Sequence, residues 1–336
     1  MKRGAKVRAL NKELIAQYDL NIKKYQYIRS NYYLETNRGS FLLRKIDIPK
    51  DQIFFDYEVD TQLSQHGFEN INKIVTTRKK APFALQGDQV YILQKYTECD
   101  ETDFQDEKDL LHTIWILANF HKAATFIESK VRDVDTMHFR NLYELYMKRA
   151  SQNIKLKKSI SEMKQKSLFE ILFLKHSEEY MALEQLALAG MDKNLGERLN
   201  QKVKEKRTVA HRDYTYHTVN KTAEDIYIMS NLDNCNYDIQ MVDLANILGR
   251  IMQKNNWDIE ILYNLIRTYD QYNPLSKEDF RILKAMLIYP EKYNSICSSY
   301  ISSRRRWNYS MFEQKWQNMM LYKENEIKAV KIIQSW

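Results

Sequence analysis

The stretch VAHRDYTYHTVN, residues 209–220, indicates which fold the chain adopts. It contains His-Arg-Asp, and phosphoryl-transfer loops begin with the same three residues in the signature His-Arg-Asp-x-x-x-x-Asn. In such a loop the Asp accepts the proton of the attacking hydroxyl, and the Asn helps to hold Mg²⁺. Five residues after Asp213, where the signature has Asn, this chain has Thr218. The motif is a weak signal alone, because a tripeptide often recurs by chance.

The residues that follow the loop strengthen this interpretation. DIYIM, residues 225–229, is typical of a short strand, and NLDNCNYD, residues 231–238, is typical of an acidic turn. In kinases the catalytic loop is followed by a short hairpin and by a turn that carries a second metal-binding Asp. The spacing from Asp213 to Asn231 or Asp233 fits that arrangement.

The chain changes character along its length. From residue 32 to residue 96, short runs rich in Tyr, Phe, Ile and Val alternate with turn signals, and one helical pattern covers residues 53–65. Farther on, apolar residues recur at helical spacing. We therefore predict an α+β, bilobal fold like that of protein kinases. Residues 1–97 are expected to form a small β-rich lobe, an antiparallel sheet with one helix. Residues 98–336 are expected to form a larger, mainly helical lobe that carries the catalytic loop and the metal turn.

The composition is that of an ordinary globular protein of 336 residues, with 44% hydrophobic and 29% charged residues. No apolar run approaches the roughly 18 residues that a membrane span needs, and the N-terminus lacks the apolar core of a secretory signal. The net charge of +8 is modest, and its basic clusters lie at residues 155–158, 202–207 and 304–306. Solvated helix faces are the favoured interpretation of these clusters, with acidic partner surfaces and nucleotide phosphates as alternatives. From the lack of such apolar segments we expect a protein that is made in the cytoplasm and does not span a membrane. Since no nucleic-acid-binding motif surrounds the basic clusters, we also expect that it does not bind nucleic acid.

The chain also has a more specific resemblance, which runs from about residue 39 to residue 307. Seven stretches carry it. They are GFENINKIV (67–75), LANFHKAA (117–124), AHRDYTYHTV (210–219), CNYDIQMVDLANILGRIMQKNNWD (235–258), YNPLS (272–276), AMLIYPEKY (285–293) and SSRRRW (302–307). With these stretches the chain resembles the CotS family of bacterial spore coat proteins. That family has the aminoglycoside-phosphotransferase, choline-kinase-like variant of the protein-kinase fold. The resemblance implies a role in spore coat assembly, other coat proteins as partners, and synthesis in the mother-cell cytoplasm before assembly into the coat.

The same resemblance assigns roles at the catalytic loop and at the turn after it. Asp213 stands at the proton-acceptor position, and His211 precedes it as in the family's pattern. Thr218 and Asn231 occupy the two positions at which the pattern has Mg²⁺ ligands, an Asn and an Asp. Asp233 could take over metal binding if the turn is remodelled. Asp213 has a structural alternative, since a buried Asp in a turn can accept backbone hydrogen bonds, and His211 is expected to be a hydrogen-bonded residue rather than a metal ligand.

In the small lobe the resemblance places the phosphate-binding Lys within GSFLLRK, residues 39–45. The residue at the matching position is Arg44, whereas Lys45 is one step away and is expected on the opposite face of the strand. Glu58, in the helix that follows, is the expected ion-pair partner. The segment YYLETNRG, residues 32–39, has a single glycine and is not a Gly-rich phosphate loop. Arg44, Lys45 and Glu58 are therefore weak candidates for binding a cofactor.

These substitutions favour a protein without phosphotransferase activity. An Asp→Asn exchange removes a full negative charge from a Mg²⁺ site, and such sites are usually built from one or two carboxylates together with phosphates. We therefore expect a pseudokinase that serves as a kinase-like scaffold in the spore coat. ATP and Mg²⁺ are the candidate cofactors, and neither is certain. The alternatives are an active Mg-ATP-dependent phosphotransferase acting on a small-molecule or protein hydroxyl, and a nucleotide-binding switch without turnover. The oligomeric state is left open.

Overall fold

The structure is a computed structural model that describes residues 9–28, 30–139, 141–192, 194–303 and 309–336. The basic cluster at residues 304–306, and with it most of the stretch SSRRRW, lies outside these residues. Within the described part of the chain, no helix is both long enough and apolar enough to cross a membrane.

The chain divides into two compact units, each drawn from several stretches of sequence. Unit 1 comprises residues 1–103, 115–136 and 206–237, and its description begins at residue 9. Unit 2 comprises residues 104–114, 137–205 and 238–336. The division into two lobes at residue 97 stays a prediction.

An antiparallel sheet forms the N-terminal part of unit 1. The elements there are α1 Lys12–Ile15, β1 Ile22–Ile28, β2 Asn31–Thr36, β3 Gly39–Ile46, α2 Lys50–Gln65, β4 Ile74–Val75, β5 Ala84–Gln86 and β6 Gln89–Lys95. The strand order is β1-β2-β3-β6-β4, and β5 also pairs with β6. The strands predicted between residues 32 and 96, and the helix among them, are confirmed.

Alternation along the central strands explains which face of this sheet is buried. On β3, Phe41 and Leu43 are buried, and Leu43 lies directly opposite Leu93 of β6. These residues belong to one core cluster together with Tyr18 of the segment after α1. Because successive side chains of a strand point to opposite faces, Arg44 lies on the face away from this cluster.

Five short strands complete unit 1. They are β7 Asp100–Glu101, β8 Val209–Ala210, β9 Val219–Lys221, β10 Tyr227–Met229 and β11 Asn236–Tyr237. In the hairpin of β9 and β10, Val219 lies opposite Met229. β7 extends this hairpin to three strands, and β8 pairs with β11. The hairpin predicted after Asp213 is therefore present, and the two strand pairs hold the ends of the loop between β8 and β9.

Unit 2 is helical. The helices that lie in it wholly or in part are α3 Glu107–Ala123, α4 Leu142–Ser161, α5 Leu168–Gly190, α6 Leu195–Lys206, α7 Met241–Lys254, α8 Ile259–Tyr272, α9 Lys277–Ile288, α10 Glu291–Ser302, α11 Tyr309–Met320 and α12 Lys323–Ser335. Ser167 and Glu170 form a capping box at the start of α5, which satisfies backbone N–H groups that a helix end leaves unpaired. Aromatic rings fill the core, and Tyr180 stacks on Tyr293 with ring centroids 5.0 Å apart. The mainly helical remainder of the chain agrees with the predicted α+β class.

Candidate functional site

The loop between β8 and β9 is held in shape by His211. This side chain is fully buried, its Nε2 lies 3.0 Å from the carbonyl oxygen of Ser230, and its Nδ1 accepts from the backbone N–H of Asp213 at 3.3 Å. A neutral imidazole has one donor and one acceptor nitrogen, so the two bonds together assign the proton to Nε2. His211 thus fixes the approach of the loop to Ser230, the residue directly after β10.

Thr218 is also used within the loop. It is buried, and its hydroxyl accepts from the backbone N–H of Thr215 at 2.8 Å and donates to the carbonyl oxygen of the same residue at 2.9 Å. A hydroxyl has a single proton to donate. At the position where the signature has Asn, the chain therefore has a side chain that closes a turn.

Asp213 differs from its neighbours in the loop. It is half-buried, and within the described residues its carboxylate has no hydrogen-bond or ion-pair partner. The preceding residue, Arg212, has a φ of 66°, which is uncommon for a residue other than glycine. Strained backbone of this kind clusters at functional sites and switch regions. The loop thus presents one free carboxylate on a constrained backbone.

The turn after β10 brings Asn231 next to this loop. The backbone N–H of Ser230 donates to the carbonyl oxygen of Thr218 at 2.9 Å, and Asn231 follows directly. Asn231 has a φ of 65°, and its side-chain Oδ1 is buried without a hydrogen-bond partner. Asn231 thus offers a neutral, enclosed oxygen at the position where the family's pattern has a carboxylate.

Asp233, the residue that could have replaced Asn231 as a ligand, is already paired. The two terminal nitrogens of Arg44 donate to its carboxylate oxygens, at 3.0 Å and 2.6 Å, and Arg44 Nε donates to Gln94 Oε1 at 2.9 Å. The side chains of Arg44 and Asp233 are only 18% and 20% exposed. Paired bidentate bonds of this kind are among the strongest that side chains form. Arg44 and Asp233 neutralise each other.

The other two small-lobe candidates do not join this pair. Lys45 is exposed. Glu58 accepts from Ser129 Oγ at 2.6 Å and from the backbone N–H of Lys130 at 3.1 Å, whereas the ion pair of Arg44 is with Asp233. The expected pairing of Arg44 with Glu58 is replaced by the pairing with Asp233, and Glu58 instead holds the segment after α3.

A buried carboxyl on the same helix lies beside the pair instead. Asp56 is 1% exposed, and its Oδ1 accepts from Gln52 and, at 3.3 Å, from Cys235 Sγ. Burial raises the pKa of Asp56 to about 7, and the negative charge of Asp233 adds to the increase. Arg132 moderates it, although burial also lowers the pKa of that guanidinium. Asp56 therefore changes its charge near neutral pH.

Comparison with known proteins assigns the family. The family model described as "Spore coat putative kinase YutH" matches residues 11–333. The chain belongs to this YutH family. A curated relative is "Spore coat protein S" of Bacillus subtilis (strain 168), which is 23% identical over 326 residues, or 94% of this chain and 91% of the relative. The resemblance to spore coat proteins that the sequence predicted is confirmed for this YutH-family chain.

Solved structures share the fold. An aminoglycoside phosphotransferase from Alicyclobacillus acidocaldarius subsp. acidocaldarius DSM 446 has a TM-score of 0.86 at 16% identity, covering 98% of this chain and 97% of its own. A spectinomycin phosphotransferase in complex with ADP and spectinomycin has a TM-score of 0.62 at 15% identity, covering 96% and 97%. At such low identities the likeness concerns the fold alone. The YutH-family chain has the predicted protein-kinase-like fold.

The side chains present do not fit a nucleotide-bound Mg²⁺ in the arrangement that the structure has. Mg²⁺ requires near-octahedral oxygen ligands, usually with one or two carboxylates. Thr218 is bonded within its loop and Asp233 is bonded to Arg44, so of these four candidates Asn231 and Asp213 alone have side-chain oxygens without a partner among the described residues. Among the described residues, no group of three or more His, Cys, Asp or Glu is placed to hold a metal ion.

Two buried carboxyls of this YutH-family chain were missed by motif matching, although the sequence contains a signal for them. Ile53, Asp56, Asp60 and Leu63 recur at spacings of three and four residues, so both acids lie on the apolar stripe of α2. Asp60 accepts from the backbone N–H of Ile74 at 2.7 Å, and burial raises its pKa to about 6. An acid in an apolar stripe predicts a buried carboxyl with a raised pKa.

Proposed function

We propose that this YutH-family protein is a kinase-like scaffold of the spore coat that does not transfer phosphate. It is made in the mother-cell cytoplasm and assembles with other coat proteins. The family and the relative named spore coat protein S support the location. The observation that carries the loss of catalysis is the bidentate pair of Arg44 and Asp233. This one contact occupies both the cation at the phosphate-binding position and Asp233 of the metal turn.

The energy of that pair argues against its opening for a nucleotide. Removing one partner of a buried ion pair costs about 3–5 kcal/mol, and the residual exposure of these two side chains favours the lower end, about 3 kcal/mol. A phosphate that draws Arg44 away leaves Asp233 in that unpaired state. A penalty of about 3 kcal/mol corresponds to roughly a hundredfold loss of affinity. In the absence of a full set of metal ligands, the new contact of Arg44 with the phosphate is left to offset this penalty.

A second candidate function rests on Asp213. Its carboxylate has no partner among the described residues, as a general base for a hydroxyl requires. An active phosphotransferase would use Asp213 to accept the proton of a small-molecule or protein hydroxyl. The geometry favours the scaffold over this alternative, because phosphoryl transfer depends mostly on positioning and charge neutralisation at the metal.

The deciding experiment measures ATP consumption by the purified protein with Mg²⁺. Asp213→Ala removes the free carboxylate, and Asp88→Ala is the matched control, since Asp88 is exposed in the turn between β5 and β6. We expect the wild type and both variants to be equally inactive, and we expect Mg²⁺ to add nothing to any thermal stabilisation by ATP. Activity that needs Mg²⁺, survives in Asp88→Ala and disappears in Asp213→Ala would establish the phosphotransferase instead.

A second experiment tests the role in the coat. In the spore-forming host, the chromosomal copy is replaced by Asp213→Ala or by Leu43→Asp, which puts a charge into the core of the small sheet. We expect Asp213→Ala spores to have the coat protein composition of the wild type. Leu43→Asp spores should resemble those of a deletion strain, because the scaffold does not fold. A coat defect in Asp213→Ala spores equal to that of the deletion would show that the carboxylate itself is needed.

A further inference from the structure

A cavity of about 350 Å³ lies among the helices of unit 2. One side of α7, the end of α9 and the start of α10 form its walls, together with Trp257 from the turn after α7. Its volume falls at the lower end of the range for small-molecule sites, about 300–1,000 Å³. All residues that line it belong to unit 2, whereas the loop between β8 and β9 belongs to unit 1.

Unpaired cations dominate this cavity. Arg250 and Lys292 line it, and within the described residues neither has a hydrogen bond or an ion pair. Burial lowers the pKa of Lys292, and the positive charges of Lys315 and Arg250 lower it further. The three cations are thus close enough to repel one another. Arg250 is exposed and Lys292 is half-buried, so an anion between them would relieve the repulsion, with solvent screening part of the interaction.

The two acids that line the cavity do not cancel these charges. Glu291 accepts from Arg149 through both carboxylate oxygens, at 3.0 and 2.9 Å. Glu326 is 4% exposed and lies 3.4 Å from the hydroxyl of Tyr180, and burial raises its pKa to about 7. One acid is therefore neutralised by a cation outside the cavity, and the other is substantially protonated at neutral pH.

Trp257 forms a buried part of the cavity wall. It is 7% exposed, and its indole Nε1 is buried without a hydrogen-bond partner. The indole N–H can only donate, and a buried donor without an acceptor costs about 1–3 kcal/mol. The backbone around it is strained as well, with a φ of 50° at Asn256 and 55° at Trp257. The fold thus holds a bulky side chain in an unfavourable conformation with its N–H unsatisfied.

Gly249 lines the cavity and, because it has no side chain, contributes to its open space. It stands within α7, where glycine is about 1 kcal/mol less favourable than alanine. A Cβ added there would meet no atom within 4 Å, so close packing does not explain the glycine. The missing side chain enlarges the cavity beside Arg250.

We propose that this cavity is a binding site for a small organic anion, a molecule with a phosphate or carboxylate group on a compact ring. Arg250 and Lys292 bind the oxyanion, and the ring occupies the space that Gly249 leaves open, with Trp257 in the cavity wall. Unit 2 thereby gives the protein a ligand site that is independent of the nucleotide-binding region of its fold.

The test uses the full chain and phenyl phosphate as the probe. Binding is measured by calorimetry, with inorganic phosphate as the oxyanion alone and phenol as the uncharged ring. The variant Arg250→Gln/Lys292→Gln removes both charges. Arg267→Gln/Lys331→Gln is the matched control, because it removes the same two charges at exposed positions of α8 and α12. We expect phenyl phosphate to bind the wild type and the control equally, and to bind the first variant at least about tenfold more weakly.

Two further variants separate the site from general charge effects. Gly249→Leu keeps every charge and fills the space, so we expect it to remain folded by circular dichroism and to lose phenyl phosphate binding. Trp257→Phe keeps every charge and a ring in the cavity wall, and it removes only an N–H that the ligand does not reach, so we expect it to bind phenyl phosphate about as tightly as the wild type does. Equal binding by the wild type and the folded Arg250→Gln/Lys292→Gln or Gly249→Leu variant would overturn the proposal. So would phenol binding as tightly as phenyl phosphate, inorganic phosphate binding as tightly as phenyl phosphate, or no binding of phenyl phosphate by the wild type.

Discussion

Arg44 in unit 1 and Arg250 in unit 2 are the same residue type in opposite situations. Arg44 stands where a kinase fold has its phosphate-binding cation, yet its guanidinium donates to Asp233 and Gln94. Arg250 lies outside the catalytic loop and the metal turn, and within the described chain it has neither a hydrogen bond nor an ion pair. A motif position thus indicates where a ligand could bind, whereas the pairing of the side chain at that position decides whether its charge is available to the ligand. In this protein Arg44, at the motif position, is paired with Asp233. Arg250 and Lys292, which are unpaired among the described residues, line a cavity of unit 2.

The largest predicted effect concerns Asp56, whose charge is removed by protonation, whereas that of Asp233 is balanced by pairing with Arg44. The folded pKa is about 7, above the ordinary 3.8, so the folded state keeps a proton that the unfolded chain releases. Stability is therefore greatest below the ordinary pKa and falls as the pH rises from there to about 7, by at most about 4 kcal/mol from this group. Asp56→Asn should remove that fall, so its advantage over the wild type should grow with pH.

The measurement is urea unfolding of the wild type and the variant at several pH values between about 4 and 8, with the difference in unfolding free energy as the readout. Taking the difference cancels the contributions of Asp60 and Glu326, whose pKa values are also raised by burial. Asp51→Asn is the control, since Asp51 is an exposed carboxyl at the start of the same helix. A difference for Asp56→Asn that stays constant with pH would mean that Asp56 is charged in the folded protein.

The second test breaks the pair of unit 1 itself. Arg44→Met leaves the Asp233 carboxylate mostly buried and unpaired, and we expect a loss of about 3 kcal/mol in unfolding free energy. Arg44→Lys keeps the charge and loses the bidentate geometry, so its loss should be smaller. The matched control is Arg78→Met, which removes an exposed partner of Asp19 (62% and 77% exposed) and should cost less than about 1 kcal/mol.

A double-mutant cycle isolates the pair from the packing of the Arg44 stem. Asp233→Asn is combined with Arg44→Met, and the interaction energy is the part of the double variant's cost that the two single variants do not account for. We expect the double variant to be more stable than the sum of the single losses predicts, because neither partner is then left charged and alone. Additive losses would show that Arg44 and Asp233 contribute independently, and the proposed obstacle to nucleotide binding would disappear.

The sequence predicts the fold better than it predicts the pairing, for a physical reason. Strands and the hairpin after Asp213 follow from local alternation and turn residues, and these local signals are confirmed. The contact of Arg44 with Asp233 joins residues that are 189 positions apart, and no local signal reports it. It depends on how the strand that carries Arg44 faces the turn after the hairpin.

The choice between Glu58 and Asp56 shows the same limit within a single helix. The two acids are two residues apart, which is about 200° around a helix, so they must face different surroundings. Motif spacing selected Glu58, whereas the apolar stripe of α2 contains Asp56. The spacing of the motif carries no information on which face of α2 is buried. In unit 2, Trp257 has a left-handed backbone that its residue type does not favour, so the sequence could not have predicted this conformation.

The smallest predicted effect is the change in stability caused by a substitution at Gly249 in unit 2. If the space beside Arg250 is open, Gly249→Ala adds a methyl group that meets no atom within 4 Å and replaces the poorest ordinary helix former with the best. We expect the free protein to gain about 0.5–1 kcal/mol in unfolding free energy, partly because the unfolded chain becomes less flexible. A single methyl leaves most of the cavity, so phenyl phosphate binding should persist in this variant and be lost only in Gly249→Leu. Thermal unfolding with and without phenyl phosphate measures both quantities. Destabilisation by Gly249→Ala would mean that the helix surface is closed there, and the glycine would then be explained by packing rather than by a ligand.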